Sequence, residues 1–308
     1  MSQSTVYIGV DVSKNALDVS APSLSRSYPN TAQGFSQILK AIPREAHIVM
    51  EATGGYERAF IQALHQAKRK VSLVNPRFVR DFAKGMGQLA KSDKIDAAMI
   101  AHYAACKHPM ADPVPAASRL RLSEMVIRRE QLLEARISET NRLDHQTMSD
   151  VQNQTKKIIK LINQQAAELA KLIAREIEAD ELLKAKSARL REVDGVGPVV
   201  TATLLAHMPE LGAISRNQAS ALVGVAPFIC ESGKYKGTRR IYGGRAGLRS
   251  VIYMAALSSA RKNPIHKAFY KKLRNAGKPF KVAIVAVMRK LVILMNHLLA
   301  KPNFSLAR

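Results

Sequence analysis

The sequence is short of several residue types, and each shortage excludes a class of protein. It has no tryptophan, 5% aromatic residues and two cysteines, Cys106 and Cys230. Two cysteines are too few for a disulfide framework or a zinc cluster, and they fit a reducing cytoplasm best. Apolar residues make up 47% of the 308 positions, which is enough for a buried core and for about two domains plus a connector.

We also expect no signal that would direct the chain into or across a membrane. Residue 11 is already acidic, so the N-terminus does not resemble a signal peptide. The most apolar late stretch, residues 282–300, is interrupted by Arg289 and Lys290. That interruption argues against a membrane span, and we expect no membrane partner.

Acidic residues are scarce relative to basic ones, and the imbalance is uneven along the chain. The net charge is +24 and the pI is near 10.3. Residues 1–117 contain 14 basic and 9 acidic side chains, and residues 118–187 contain 13 basic and 11 acidic ones. Residues 188–308 contain 21 basic side chains but only 4 acidic ones. A surplus of this size predicts a polyanionic partner, most simply nucleic acid. A tail that only aids solubility is the alternative, but the last third is apolar enough to fold.

Four acidic residues in the first third form the main candidate for chemistry. Asp11 follows the apolar run at residues 6–10, and Glu51 follows a second apolar run, HIVM. Asp93 and Asp96 are three residues apart, which places both on one face of a predicted helix. Carboxylates that converge from separate elements are tolerated when a hard divalent cation neutralises them. Two Mg²⁺ ions about 3.5–4 Å apart can clamp the attacking and leaving oxygens of a phosphodiester.

Each of these acids also has an ordinary explanation. A single Asp after a strand is commonly a turn residue or a helix cap, and an acidic pair on a helix is commonly a solvated face or a cap. The order of all four, with two at strand ends, favours the metal site. The predicted elements, antiparallel strands followed by helix, strand, helix, strand and helix, have the order of an α/β ribonuclease H-like fold.

The middle of the chain is predicted to be helical. Between Ala116 and Asp194 there is neither proline nor glycine, and the stretch is rich in Leu, Ile, Ala, Glu, Lys, Arg and Gln. Within it, KKIIKLINQQAAELAKLIAREIEA repeats apolar residues at alternating three- and four-residue steps, which is typical of a coiled coil. The region is either a structural spacer or an oligomerisation arm.

A glycine-containing turn opens the basic last third. Residues 191–208 place Gly195 and Gly197 between two predicted helices, which is the helix-hairpin-helix pattern. Glycines let the backbone approach a phosphate, and the N-terminus of the second helix presents N–H groups to it. A simple turn is the alternative, but the basic surroundings favour the phosphate contact.

A second candidate centre is the glycine-rich basic segment at residues 230–250. Ser232 is the only serine between positions 221 and 249. A Ser-Gly pair is often only a turn, and serine is a weak nucleophile without a base, for which His207 is one possibility. Segments of this composition can follow a phosphate backbone, and six basic residues are candidates for that contact: Lys234, Lys236, Arg239, Arg240, Arg245 and Arg249.

Taken together, these segments resemble the DEDD-type insertion-sequence transposases, the bridge-RNA-guided recombinases. The resemblance rests on YIGVDVSKNALDV, MEATGGY, KSDKIDA, VDGVGP and GVAPFICESGKYKGTRRIYGGRAGLR, in that order. It covers nearly the whole chain.

The resemblance implies a RuvC-like first domain (1–117), a coiled-coil arm (118–187) and a mainly α transposase domain (188–308). It makes Asp11, Glu51, Asp93 and Asp96 ligands of Mg²⁺, and Ser232 the nucleophile that forms a 5′-phosphoserine link to DNA. It further implies donor and target DNA, a noncoding guide RNA, homodimers or homotetramers, and a nucleoid-associated protein of the bacterial cytoplasm.

Three other functions are compatible with parts of the sequence. A metal-dependent Holliday-junction-type endonuclease would use the same acids and water, with no covalent intermediate. A nonenzymatic nucleic-acid-binding protein would use the acids only structurally. An actin-like sugar kinase would use the turn after the first strand, but a second glycine-rich phosphate loop is missing and the charge is excessive for a small substrate.

Overall fold

The computed structural model describes residues 5–88, 90, 92–229, 231–232, 235–237 and 239–306, with the backbone alone at 231–232, 235–236 and 246. The chain divides into two compact units, residues 1–114 and residues 115–308. The three-domain division at 117 and 187 stays a prediction. The helical middle and the basic last third share one hydrophobic core in the second unit.

The first unit is an α/β domain, in which one mixed parallel and antiparallel sheet has helices on both faces. Its strands, in the spatial order β3-β2-β1-β4-β5, are β1 (Tyr7–Val12), β2 (Ala16–Ala21), β3 (Leu24–Pro29), β4 (His47–Glu51) and β5 (Lys70–Val74). β1 to β3 are antiparallel, whereas β1, β4 and β5 run parallel. The helices are α1 (Ala32–Ala41), α2 (Arg58–Gln66), α3 (Pro76–Gly85) and α4 (Asp93–Lys107). This sheet is compatible with the predicted ribonuclease H-like domain.

The alternation of side chains along β1 separates the two faces of the sheet. Ile8, Val10 and Val12 point to one face, where they pack with the apolar residues of α1 and α2. Gly9 and Asp11 therefore point to the other face, which α3 and α4 cover. The acids thus lie on the face of the sheet where the two helices that follow β5 are packed.

The second unit is mostly helical, as predicted. Its helices are α5 (Ala117–Leu143), α6 (Ser149–Ala179), α7 (Glu181–Arg191), α8 (Pro198–His207), α9 (Arg216–Val223), α10 (Ala246–Lys262), α11 (Pro264–Asn275) and α12 (Phe280–Ala300). Between α9 and α10 lie two short antiparallel pairs: β6 (Pro227–Phe228) with β9 (Arg240–Ile241), and β7 (Glu231–Ser232) with β8 (Tyr235–Lys236).

The long helices α5 and α6 pack on each other as an antiparallel hairpin. Leu132 of α5 packs with Ile162 and Ala166 of α6, while the other end of the hairpin joins the main core of the unit. Buried residues of α6 recur at alternating seven- and four-residue steps, which keeps them on one side of the helix. The apolar repeat of the sequence therefore serves at least the packing of α6 on α5.

The long apolar helix α12 contributes many residues to the core of the second unit. Within the described chain it alone is long and apolar enough to cross a membrane. Its buried face, which includes Ile284, Val287, Leu291 and Met295, packs in one core with α8, α9 and α10. Lys290 lies 4.0 Å from the centre of the Phe269 ring of α11. The packing of this face in the core accounts for the hydrophobicity of α12.

Candidate active site

Two of the predicted acids lie at the same edge of the sheet. Asp11 is near the end of β1, and Glu51 is the last residue of β4. The strands are parallel neighbours in which Gly9 is paired with Val49 and Val10 with Met50. The same register places Asp11 beside Glu51 on one face. The sheet therefore brings together two carboxylates that are far apart in sequence.

Helix α4 supplies the other two acids from its first turn. Its N-cap is Ser92, whose hydroxyl accepts a hydrogen bond from the backbone N–H of Ile95 at 3.4 Å. Asp93 and Asp96 follow directly, in the turn where the helix dipole favours negative charge. The cap fixes where the helix begins and hence which way these two side chains project.

Asp11, Glu51, Asp93 and Asp96, here called the acid site, line one cavity of about 370 Å³. Asp93 is exposed, and the other three are partly buried. Burial, and after it the charges of Asp96 and Asp93, raise the pKa of Asp11 above its usual value. Mutual repulsion of this kind shows that the carboxylates from β1 and α4 are close enough to interact.

The donor set of the acid site matches a hard divalent cation, because carboxylate oxygens are the ligands that such ions prefer. A cation would also offset the repulsion that raises the pKa of Asp11. Among the residues that the structure describes, no three acidic, histidine or cysteine side chains already have the spacing that holds a metal ion. The carboxylates therefore line the cavity without converging on one point, and binding would require their side chains to rotate.

Two basic residues of α3, which the sequence reading did not single out, line the same cavity. Arg80 and Lys84 are four residues apart, so they project from one side of the helix. In sequence, the signal was this basic pair four and eight residues after Pro76, in a helix that Asn75 caps and Pro76 starts. Cations beside a carboxylate cluster are suited to hold the phosphate of a bound nucleic acid.

The two glycines of the predicted hairpin have different surroundings. Gly195 has φ +91°, and a Cβ there would lie 2.7 Å from the carbonyl oxygen of Ala255 in α10. This glycine is thus needed for close packing against α10. Gly197 is the N-cap of α8, and a Cβ at this position would meet no atom within 4 Å. Of the two, Gly197 has the open space that a phosphate contact would need.

The predicted nucleophile Ser232 is in β7, where its backbone pairs with that of Tyr235. Lys236 ends β8, and Lys234 lies outside the described residues. Arg239 directly precedes β9 and Arg240 begins it, and both are exposed. The segment therefore presents two arginines to solvent beside the hairpin that carries the serine backbone.

Arg245 and Arg249, which are predicted to contact nucleic acid, make internal contacts in the structure. The guanidinium of Arg245 donates to both carboxylate oxygens of Glu210, at 2.8 and 3.1 Å, and to the carbonyl oxygen of His207. Arg249 donates to the carbonyl oxygens of Val223 and Gly243. These contacts give both arginines a structural role that sequence reasoning did not foresee, because their partners are distant in sequence or lie on the backbone.

Comparison with known proteins identifies the relatives of this chain. Residues 8–150 match a family model of a DEDD transposase of the IS110 group, and residues 187–271 match the transposase family IS116/IS110/IS902. Pilin gene-inverting proteins from Moraxella lacunata and Moraxella bovis are each 27% identical over 303 residues, covering 94% of either chain. The chain belongs to the IS110 family of transposases. The predicted family is thus confirmed.

The transposase is therefore an enzyme that acts on DNA. The first matched region contains the whole acid site, and the second contains Gly197, Ser232 and the basic segment around it. The two predicted centres consequently fall in separate matched regions of the family.

A row of basic side chains follows the exposed side of α11. Lys267, Lys271 and Arg274 are exposed and are spaced by four and three residues, so they form one stripe along the helix. Arg274 also donates a hydrogen bond to the carbonyl oxygen of Lys278. The sequence has no acidic residue after Glu231, so the stripe has no neighbouring acid from its own segment of the chain. The row is about 10 Å long and would span about three phosphates of one DNA strand.

Proposed function

We propose that the transposase is an RNA-guided recombinase of an insertion sequence that cuts and rejoins DNA strands. The observation that carries the proposal is the acid site: four carboxylates from two strands and a helix line one cavity, together with Arg80 and Lys84. Carboxylates that bind divalent ions, beside cations that bind phosphate, are the groups that phosphodiester chemistry requires. The names of the Moraxella relatives, which describe inversion of a pilin gene, support rearrangement of DNA over simple degradation.

In this proposal Asp11, Glu51, Asp93 and Asp96 hold two Mg²⁺ ions. When bound, the ions would neutralise the charge that develops on a phosphate during strand cleavage. The residues of the chain do the rest. The sheet sets the backbone positions of Glu51 and Asp11, and the cap of α4 sets those of Asp93 and Asp96. Arg80 and Lys84 orient the DNA phosphate.

The serine step is the second part of the proposal. The Ser232 Oγ attacks the phosphorus and gives up its proton, the bond between the phosphorus and the 3′ oxygen breaks, and this oxygen takes up a proton and leaves as a 3′ hydroxyl. The phosphate then remains bound to the serine and to the 5′ side of the cut. Attack by another 3′ hydroxyl reverses the step and joins new strands, so no external energy source is required. Gly197 and the exposed Arg239 and Arg240 would hold the DNA backbone near the serine, with Lys234 and Lys236 as further predicted contacts.

The proposed partners are donor and target DNA, a noncoding guide RNA and further copies of the same chain. Exposed apolar residues on α6, Ile158, Leu161 and Leu172, support a helical arm that forms a coiled coil in a homodimer or homotetramer. The helix-hairpin-helix at α7 and α8 would bind phosphate, and the first unit would be RuvC-like. A DNA-acting protein of this kind would work in the bacterial cytoplasm, at the nucleoid.

Trapping of the reaction intermediate tests the proposal. The full chain is purified under denaturing conditions from cells that carry the complete element, and the peptide containing Ser232 is examined by mass spectrometry. A nucleotide remnant on Ser232 is expected in the parent, and its loss is expected in Ser232→Ala. Ser250→Ala, which removes an exposed serine of α10, is the matched control and should keep the remnant.

A different result selects the metal-only endonuclease. DNA ends that appear without a remnant, depend on Asp11 and Mg²⁺, and persist in Ser232→Ala would contradict the serine step. The acid site alone, with water as the nucleophile, would then account for cleavage. Deleting the noncoding part of the element is expected to abolish recombination, and recombination that survives the deletion would contradict RNA guidance.

A further inference from the structure

A fifth carboxylate lies next to the acid site and has no place in the proposed ligand set. Asp18 of β2 is directly opposite Asp11 of β1 in the antiparallel register. Opposed residues of such a pair point to the same face, with their Cβ atoms about 4.5–5.5 Å apart. The neighbours of Asp18 on its own strand, Leu17 and Val19, are in the core on the other face. Asp18 therefore shares the face of Asp11 and α4.

Asp18 is largely buried. It is 8% exposed, and in the described part of the chain its side chain takes part in no hydrogen bond or ion pair, although its carboxylate oxygens are not fully enclosed. The nearby charge of Asp11 is repulsive. An acid held in this way beside another acid is unfavourable unless a cation compensates the pair.

A second buried acid of the same unit, Glu57, has the hydrogen bonds that are expected of a structural carboxylate. Glu57 is 6% exposed, which is close to the value for Asp18. One of its oxygens accepts hydrogen bonds from the Thr53 N–H, the Thr53 hydroxyl and the Gly55 N–H. Glu57 thereby closes the turn after β4. Asp18 accepts no such hydrogen bonds from a turn, so a local structural role does not explain why an acid is at this buried position.

We propose that Asp18 is a positioning carboxylate of the acid site, which increases the affinity of Asp11 and its neighbours for a divalent cation. The inference rests on the proposed metal site. Asp18 adds negative charge behind Asp11 and prevents its carboxylate from turning away from the cavity. The bound cation in turn compensates the two opposed acids. Groups that act behind the direct ligands of a metal typically change its affinity by about 10–100-fold.

The test measures binding of Mn²⁺ alone to the full chain by isothermal titration calorimetry, with thermal unfolding in EDTA as a second readout. Asp18→Asn keeps the shape of the side chain and removes its charge. We expect an affinity loss of about 10–100-fold and an unchanged or higher Tm in EDTA, because a repulsion has been removed. Glu45→Gln, an exposed acid before the start of β4 and thus at the opposite edge of the sheet, should leave the affinity unchanged.

Asp11→Asn serves as the reference that separates the two proposals. If Asp11→Asn loses Mn²⁺ binding while Asp18→Asn binds like the parent, the role of Asp18 is refuted and the acid site remains. If neither variant changes the affinity, the metal site itself is refuted. A lower Tm of Asp18→Asn in EDTA, or failure of this variant to fold, would show that Asp18 stabilises the sheet directly and would also overturn the inference.

Discussion

Gly9 of β1 and Ala97 of α4 are in direct backbone contact: a Cβ on Gly9 would lie 2.1 Å from the carbonyl oxygen of Ala97 and 2.4 Å from the backbone nitrogen of Ala101. Only glycine allows the helix to lie so close to the strand. Asp96 immediately precedes Ala97, and Asp11 follows Gly9 by two residues on the same face. The close approach therefore determines how near the acids of the helix come to those of the sheet.

Substitution of this glycine should separate α4 from β1. Gly9→Ala places a methyl group against backbone atoms that cannot yield, so α4 must shift, and we expect a destabilisation of about 3 kcal/mol or more. Because Asp93 and Asp96 move with α4, Mn²⁺ binding should weaken as well. Denaturant unfolding and calorimetry measure the two effects.

Gly85→Ala is the matched control for this prediction. Gly85 ends α3, and a Cβ there would meet nothing within 4 Å. Alanine should therefore be neutral or stabilising by up to about 1 kcal/mol. A Gly9→Ala variant that is as stable as Gly85→Ala and binds Mn²⁺ like the parent would contradict the contact between strand and helix.

The pKa of Asp11 predicts how stability changes with pH in the absence of metal. Burial, then Asp96 and Asp93, raise this pKa above the usual 3.8. A carboxyl that holds its proton more tightly in the folded than in the unfolded chain destabilises the fold when it ionises. Asp11→Asn should therefore raise the Tm in EDTA at neutral pH. The gain should shrink as the pH falls through the raised pKa and vanish below 3.8.

Circular dichroism melts across this pH range test the sign of the effect. Added Mn²⁺ should reverse the order, because the parent then gains stability from binding that Asp11→Asn lacks. Glu45→Gln should show no such gain at neutral pH. A Tm of Asp11→Asn in EDTA that is below that of the parent at every pH would refute the assigned repulsion.

The sequence was sufficient for the strands that carry Asp11 and Glu51, because each acid ends a short apolar run. It also placed Asp93 and Asp96 on a helix that Ser92 caps. It was not sufficient for Asp18, because the opposition of Asp11 and Asp18 depends on strand register, which no local pattern fixes. The ion pair of Arg245 could not be predicted for a related reason: its partner Glu210 is 35 residues away, and only the fold brings the two together.

The ion pair of Arg245 predicts that replacing this arginine destabilises the fold, whereas replacing Arg239 or Arg240 does not. Burial alone would raise the pKa of Glu210, but the hydrogen bonds and charge of Arg245 lower it overall. The pair therefore stabilises the second unit above the usual Glu pKa of 4.5, and this contribution is lost as the pH falls through the lowered pKa. Arg245→Gln should cost about 1 kcal/mol at neutral pH, since the pair is partly exposed, and the cost should fall in acid.

Arg239→Gln and Arg240→Gln provide the comparison for Arg245→Gln. Both side chains are exposed, so their replacement should leave the Tm unchanged and weaken DNA binding. Fluorescence anisotropy with labelled duplex DNA measures the binding. The assignment fails if Arg245→Gln is as stable as the parent, or if the other two variants lower the Tm by a similar amount.

The basic stripe on α11 makes a prediction about salt dependence. Replacement of Lys267, Lys271 and Arg274 by glutamine removes three cations from one side of the helix. If each contacts a phosphate, the slope of log K against log salt should become shallower by about 3. Lys157, Lys160 and Lys171 are exposed on α6, where acids are frequent. The equivalent triple replacement there should change the slope little, and equal slopes for both triple variants would exclude the stripe as a DNA contact.

The cations of α3 should have opposite effects on metal binding and on catalysis. Arg80 and Lys84 line the cavity with the four acids, so they repel a divalent ion but attract the phosphate that the ion activates. Arg80→Gln and Lys84→Gln should bind Mn²⁺ as tightly as the parent or more tightly, yet cleave DNA about 100-fold more slowly.

Arg77→Gln, on the same helix, is the control for this pair, because the Arg77 side chain forms a salt bridge with Asp81 at 3.4 Å. It should leave both quantities near those of the parent. Calorimetry with Mn²⁺ and single-turnover cleavage under saturating Mg²⁺ separate the two effects. Slow cleavage that higher Mg²⁺ restores would indicate a lost metal, whereas slow cleavage at full metal occupancy requires that Arg80 and Lys84 act on the DNA phosphate itself.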